Sequence, residues 1–155
     1  MSNPFMARAI ELATENVRTG RGGPFAAVVV KDGRIIAEGT NQVTSNNDPT
    51  AHAEIVVIRK ACEALGDFQL HDCEIYTTCE PCPMCLGAIY WARPARVFFA
   101  STASDAARAG FDDSFIFEQM QLPFAERRIP MIPMMRDEAR AALRAWEEKT
   151  DKTPY

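Results

Sequence analysis

No long apolar stretch runs through this chain of 155 residues. The longest wholly apolar run, residues 25–30, falls far short of the ~18 that suggest a membrane-spanning helix, so no membrane partner is expected. An excess of basic residues is missing too: 17 Lys and Arg stand against 21 Asp and Glu, for a formal charge of −4. A sequence-independent grip on DNA or RNA needs a basic surface, so nucleic acid is not expected as a partner. The opening MSNPFMARAI has no basic stretch leading into an apolar one, which argues against a secretory signal and for a cytoplasmic protein. Five cysteines cannot all pair, and three crowd together as Cys79, Cys82 and Cys85. In an intracellular chain that clustering points to metal or redox chemistry and away from a disulfide framework. Repeats, low-complexity tracts and long linkers are also missing. What is present, 47% apolar residues in a chain of this length, suits a single domain spanning 1–155.

The pattern along the chain alternates between helix and strand. Asn3-Pro4 reads as an N-cap followed by Pro at the first helical position, and Met6, Ile10, Ala13 and Val17 recur at helical spacing before Gly20 breaks the pattern. Residues 25–31 and 35–37 are strand-like, and Asp32-Gly33 between them predicts a two-residue hairpin. A polar loop over 41–48 leads to a second helix, on which Ile55, Ile58, Cys62 and Leu65 share a face and which Gly66 ends. Residues 73–78 read as a strand running into a third helix that reaches about Trp91, and 96–100 as another strand. Short helical turns are expected around Asp105 and Glu118. A last strand is expected over 129–135, confined to an edge or bulge by Pro130 and Pro133, before a final helix over 137–149. The order implies the α/β class: a three-layer α/β/α arrangement on a mixed sheet of about five strands.

Two segments carry chemistry. Cys82 and Cys85 have the spacing that lets both sulfurs meet one ion across the first turn of a helix, whose N-terminus favours thiolate. His52, at another helix start, offers a neutral nitrogen as third ligand. Three protein ligands leave a fourth tetrahedral position for water, the arrangement of a catalytic Zn2+. Glu54, two residues beyond His52, is placed to move protons without binding metal. Cys79 offers an alternative: with His52, Cys82 and Cys85 it would close a four-ligand structural site and leave Glu54 without a task. Cys62 and Cys73 sit in apolar patterns and read as core.

The pairing of HxE with PCxxC is the zinc-deaminase signature. The chain resembles the cytidine-deaminase superfamily of zinc hydrolases through GGPFAAVVVKDG (22–33), SNNDPTAHAEIVVIRKAC (45–62) and CEPCPMCLGAIYWARP (79–94). Within it, AGFDDSFI (109–116) and the terminal Tyr155 resemble the bacterial guanine-deaminase group; residues 118–150 match only loosely. The resemblance implies hydrolytic deamination of guanine to xanthine and ammonia, extending by shape to amino-oxo triazines such as ammeline. It implies His52, Cys82 and Cys85 as ligands of one Zn2+ and Glu54 as the proton shuttle. Asp113 would be a second proton carrier. Asn41 and the Ala53 N–H would bond the purine edge, with Phe25 and Trp91 flanking its faces. It also implies a homodimer, either with the segment from about 118 to 155 exchanged so that Tyr155 closes the partner's site, or with that tail simply frayed.

Rival readings are a deaminase of adenosine in transfer RNA or of cytosine, built on the same zinc motifs, and a structural zinc module without turnover. For the RNA enzyme, Arg136, Arg140 and Arg144 are interleaved with Asp137, Glu138, Glu147 and Glu148, which does not make a basic groove.

Overall fold

In the computed structural model, which describes residues 3–155, α1 covers Pro4–Arg18. It starts there because the Asn3 carboxamide oxygen accepts bonds from the Phe5 and Met6 N–H groups, both at 3.0 Å, satisfying donors that the helix cannot. Two antiparallel strands follow, β1 (Ala26–Lys31) and β2 (Arg34–Thr40). Asp32 and Gly33 join them with φ of 50° and 72°, the left-handed pair that matches the twist of a tight hairpin. The expected polar loop contains a single helical turn, α2 (Val43–Asn46), before α3 (Ala53–Leu65), which Gly66 closes in the left-handed conformation. Then come β3 (Cys73–Cys79), α4 (Pro83–Ala92), β4 (Arg96–Ser101) and α5 (Ala103–Arg108).

The sheet is mixed, in the order β2-β1-β3-β4. β1 runs antiparallel to both its neighbours, while β3 and β4 are parallel. Its two faces are separate cores. Ala27 and Val29 of β1 and Cys73 and Ile75 of β3 point toward α3 and α4, where Val57, Ala61, Ile89 and Ala92 meet them. Val28, Val30 and Tyr76 point the other way, toward Ala9 and Phe5 of α1. The period-two alternation of β1 therefore feeds both layers, and its uninterrupted apolar run is that of a central strand covered twice. This is the expected three-layer α/β/α arrangement, with four strands instead of about five.

The missing strand is the one expected over 129–135. Contacts divide the chain into two units, Met1–Asp113 and Ser114–Tyr155, a few residues before the boundary near 118 that the sequence suggested. The second unit holds α6 (Ser114–Gln121), a short 3-10 turn at Phe124–Glu126 and α7 (Arg136–Glu148), and no strand among its described residues. Pro130 and Pro133 each remove a ladder donor from a seven-residue stretch, which pairs with no strand: the Met131 N–H turns back to the Phe124 carbonyl at 3.1 Å, and Met135 is left-handed with φ of 51°. No helix of the described residues is long and apolar enough to cross a membrane.

Candidate active site

Two helix N-termini converge beside the sheet. His52 is the N-cap of α3 and Cys82 the N-cap of α4; Cys85 lies in the first turn of α4. β3 ends at Cys79, and Glu80-Pro81 carries the chain from the strand into Cys82. The packing of α3 on β2 fixes one helix start. A Cβ on Gly39 would fall 2.7 Å from the Ala53 carbonyl oxygen and 2.8 Å from the Val57 nitrogen, so only glycine lets β2 approach so closely.

The result is a compact donor set. His52 Nδ1 is 3.6 Å from Cys82 Sγ and 3.5 Å from Cys85 Sγ, and the three ligand atoms lie within 4.8 Å of one another. Tetrahedral zinc with bonds of ~2.3 Å to sulfur and ~2.0–2.1 Å to nitrogen would hold S and N about 3.6 Å apart. One imidazole and two thiols at these separations fit that ion in size and in softness. Among the described residues no fourth donor completes the group: the Cys79 thiol instead donates to the Thr102 carbonyl at 3.7 Å. The closed four-ligand alternative of His52, Cys79, Cys82 and Cys85 is not formed among the described residues.

The electrostatics suit cation binding. The Cys85 thiol beside it, and then His52, draw Cys82 down to about 4, so Cys82 is a thiolate at neutrality. Cys82, and then burial, push the Cys85 thiol well above its ordinary value. Cys82 in turn holds the His52 imidazole above its usual value. Cys79 is pushed up to about 11 by burial and stays a thiol.

Glu54 is 6% exposed. Its Oε1 accepts a bond from the Thr77 hydroxyl at 3.1 Å, and its Oε2 lies 3.5 Å from Cys85 Sγ. Burial raises its carboxyl above the usual carboxylate range. Thr77 escaped the sequence reading. Its signal was a polar residue on the face of β3 that otherwise carries Cys73 and Ile75, at the end of the strand nearest the cysteines.

Asn41, just after β2, is buried; its N–H donates to the Phe25 carbonyl at 2.9 Å, and its Oδ1 accepts from the Val43 N–H at 3.3 Å. Phe25 meets Phe111 edge-on at 4.9 Å. Ala53 is fully buried as the first residue of α3, where its N–H has no partner within the helix. Asp113 is half-buried, its carboxyl raised by burial and then by Cys82, and it acts on His52 through space. Trp91 is placed differently. It lies nine residues along α4 from Cys82, about 13 Å of helix rise, and is 64% exposed. Tyr155, the last residue of the second unit, is also exposed.

Residues 2–101 match the profile of the cytidine and deoxycytidylate deaminase zinc-binding region. Over 151 residues the chain is 58% identical to the guanine deaminase of Bacillus subtilis, covering 97% of each sequence. The crystal structure of a guanine deaminase from that organism superposes with a TM-score of 0.96 at 56% identity, over 100% of this chain and 99% of the other. A tRNA-specific adenosine deaminase of Agrobacterium fabrum is 51% identical, but over 78 residues, 50% of this chain and 51% of its own.

Proposed function

Because the chain belongs to the cytidine and deoxycytidylate deaminase zinc-binding family and has the cytidine deaminase-like fold, we propose that it hydrolyses guanine to xanthine and ammonia. One observation carries the choice of base. Likeness to the guanine deaminase continues through the whole second unit, whereas likeness to the RNA-editing relative covers half the chain.

His52, Cys82 and Cys85 would hold the metal. When bound, zinc supplies Lewis-acid charge that brings the ionisation of water close to neutrality. The chain's own residues then do the rest. Glu54 takes a proton from the attacking water and hands it to the ring nitrogen beside carbon 2. Its desolvated carboxyl gives and accepts protons more readily near pH 7 than an exposed one. Carbon 2 gains an oxygen and loses its amine, and Asp113 helps protonate that amine as it departs. The Asn41 carboxamide and the Ala53 N–H hold the purine edge, with Phe25 against one face. Guanine and water are consumed; xanthine and ammonia are released.

Trp91 and Tyr155 both stand exposed on a single chain, as do Ile129, Ile132, Met134 and Leu143 of the second unit. Exposed apolar surface of this kind marks an assembly face. A homodimer that exchanges the segment from about 118 to 155, and in which a second copy supplies aromatic residues to each site, accounts for all of them. A pocket that reads an amino-oxo ring edge also admits triazines such as ammeline.

The test is to incubate zinc-loaded protein with guanine, adenine, cytosine, their nucleosides, ammeline and transfer RNA, and to quantify ammonia. Guanine is expected to be turned over fastest and ammeline more slowly. Ammonia released from transfer RNA but not from guanine would overturn the reading.

A further inference from the structure

Asn16 is a polar residue in an unexpected place. It lies near the end of α1 and is only 2% exposed, and a buried carboxamide is costly unless its hydrogens are used. Both are. Nδ2 donates to the Gly23 carbonyl and to the Asn41 carbonyl, each at 2.9 Å. One side-chain nitrogen thus joins the loop that delivers Phe25 to the residue that follows β2. The joint is tight: a Cβ on Gly22 would fall 2.1 Å from the Asn41 carbonyl oxygen and 2.9 Å from Asn16 Nδ2. A third bond closes the unit, from the Asn41 N–H to the Phe25 carbonyl. Gly23, Phe25 and Asn41 therefore share one frame, and Asn16 ties that frame to the rigid body of α1.

We propose that Asn16 is a positioning residue for base recognition, holding the backbone of Asn41 so that its carboxamide meets the purine edge. Asn16 does not touch the base itself. The proposal rests on the reading above, in which Asn41 bonds the substrate. Its effect belongs to binding, because a misplaced Asn41 weakens ground state and transition state alike, while the metal ligands and Glu54 stand on α3 and α4 and keep their places.

The experiment is a double-mutant cycle on the zinc-loaded enzyme. Asn16→Leu keeps the volume and removes both donors. It is expected to raise KM for guanine about tenfold, the scale of one to two lost hydrogen bonds, with kcat within about threefold and zinc content unchanged. In an Asn41→Ala background the same change is expected to move KM less than about twofold, because the group it positions has gone. An unmoved KM, or an equal rise in both backgrounds, would show that Asn16 is structural only. Should the leucine variant fail to fold, Asn16→Ala, which admits water to the two carbonyls, runs the same cycle. If the wild-type enzyme turns over a base other than guanine, the function proposed above fails, and the cycle on that base still decides the role of Asn16. A chain that deaminates no base removes both.

Discussion

In the proposed reaction, Glu54 owes its usefulness to where its carboxyl sits. Burial raises it above an ordinary glutamate, although the bonds from Thr77 and Cys85 pull the other way, and it remains close to any water delivered to the His52, Cys82 and Cys85 donors. Glu54→Gln keeps shape and hydrogen bonding but carries no proton, so kcat is expected to fall at least ~100-fold with zinc still bound. Turnover assays beside metal analysis separate that outcome from loss of the site. Thr77→Val removes only the bond that aims the carboxylate. It is expected to lower kcat several-fold and stability by about 1 kcal/mol, measured by urea denaturation. The donor set was legible in the sequence because one ion at a helix start demands a fixed spacing, two residues between Cys82 and Cys85, and the place of Glu54 beside it follows from His52 two positions earlier. Thr77 and Asn16 were not, since a single polar residue in an apolar strand or helix does not say which partner, far along the chain, it will meet.

At the scale of elements, the site depends on how α3 is set against β2. Gly39 lets the strand pass within reach of the Ala53 carbonyl, so Gly39→Ala must push α3 outward or strain β2. Such overpacking costs ~1–3 kcal/mol, a fall in Tm of about 2–12 °C for a chain of this length, and calorimetry reads it directly. β2 is tied to α1 as well, where the Arg8 guanidinium grips Glu38 through two bonds of 2.8 and 3.0 Å and holds its carboxyl below the usual range. Glu38 is thus more acidic in the folded chain than in the unfolded one. The pair's contribution is complete above the unfolded value of ~4.3 and is lost as pH falls through the lowered folded value. Both side chains are partly exposed, which limits the effect to ~0.2–1 kcal/mol. Glu38→Gln is expected to lower Tm slightly at pH 7, with the difference closing in acid. The hairpin, the caps and the helix order were readable here, since Asn3, Asp32-Gly33 and Gly66 act on their immediate neighbours. The strand expected over 129–135 was not. Apolar content suggested it, but a strand exists only where another edge receives it, and two prolines withhold the donors that pairing needs.

For the whole molecule, the question is whether the metal makes the fold or only the chemistry. The His52, Cys82 and Cys85 atoms come from the starts of α3 and α4, two helices separated in sequence by β3, and each helix already buries apolar residues in the core: Val57 and Ala61 on one, Ile89 and Ala92 on the other. The sheet has a second core against α1 that touches none of the ligands. A module built around its ion has no such reserve and unfolds when the ion is removed. Here, chelation is expected to abolish deamination while far-ultraviolet circular dichroism stays within about a tenth of its starting value, with Tm lowered but the transition still cooperative. Restoring zinc should restore activity without a refolding step. Thiolate at Cys82 makes recapture favourable at pH 7, whereas Cys85 must surrender a tightly held proton, so binding is expected to release acid into a weakly buffered solution. Loss of helical signal in step with zinc removal would mean that the two cores cannot stand alone, and the three-layer body would then be a scaffold raised on its ion.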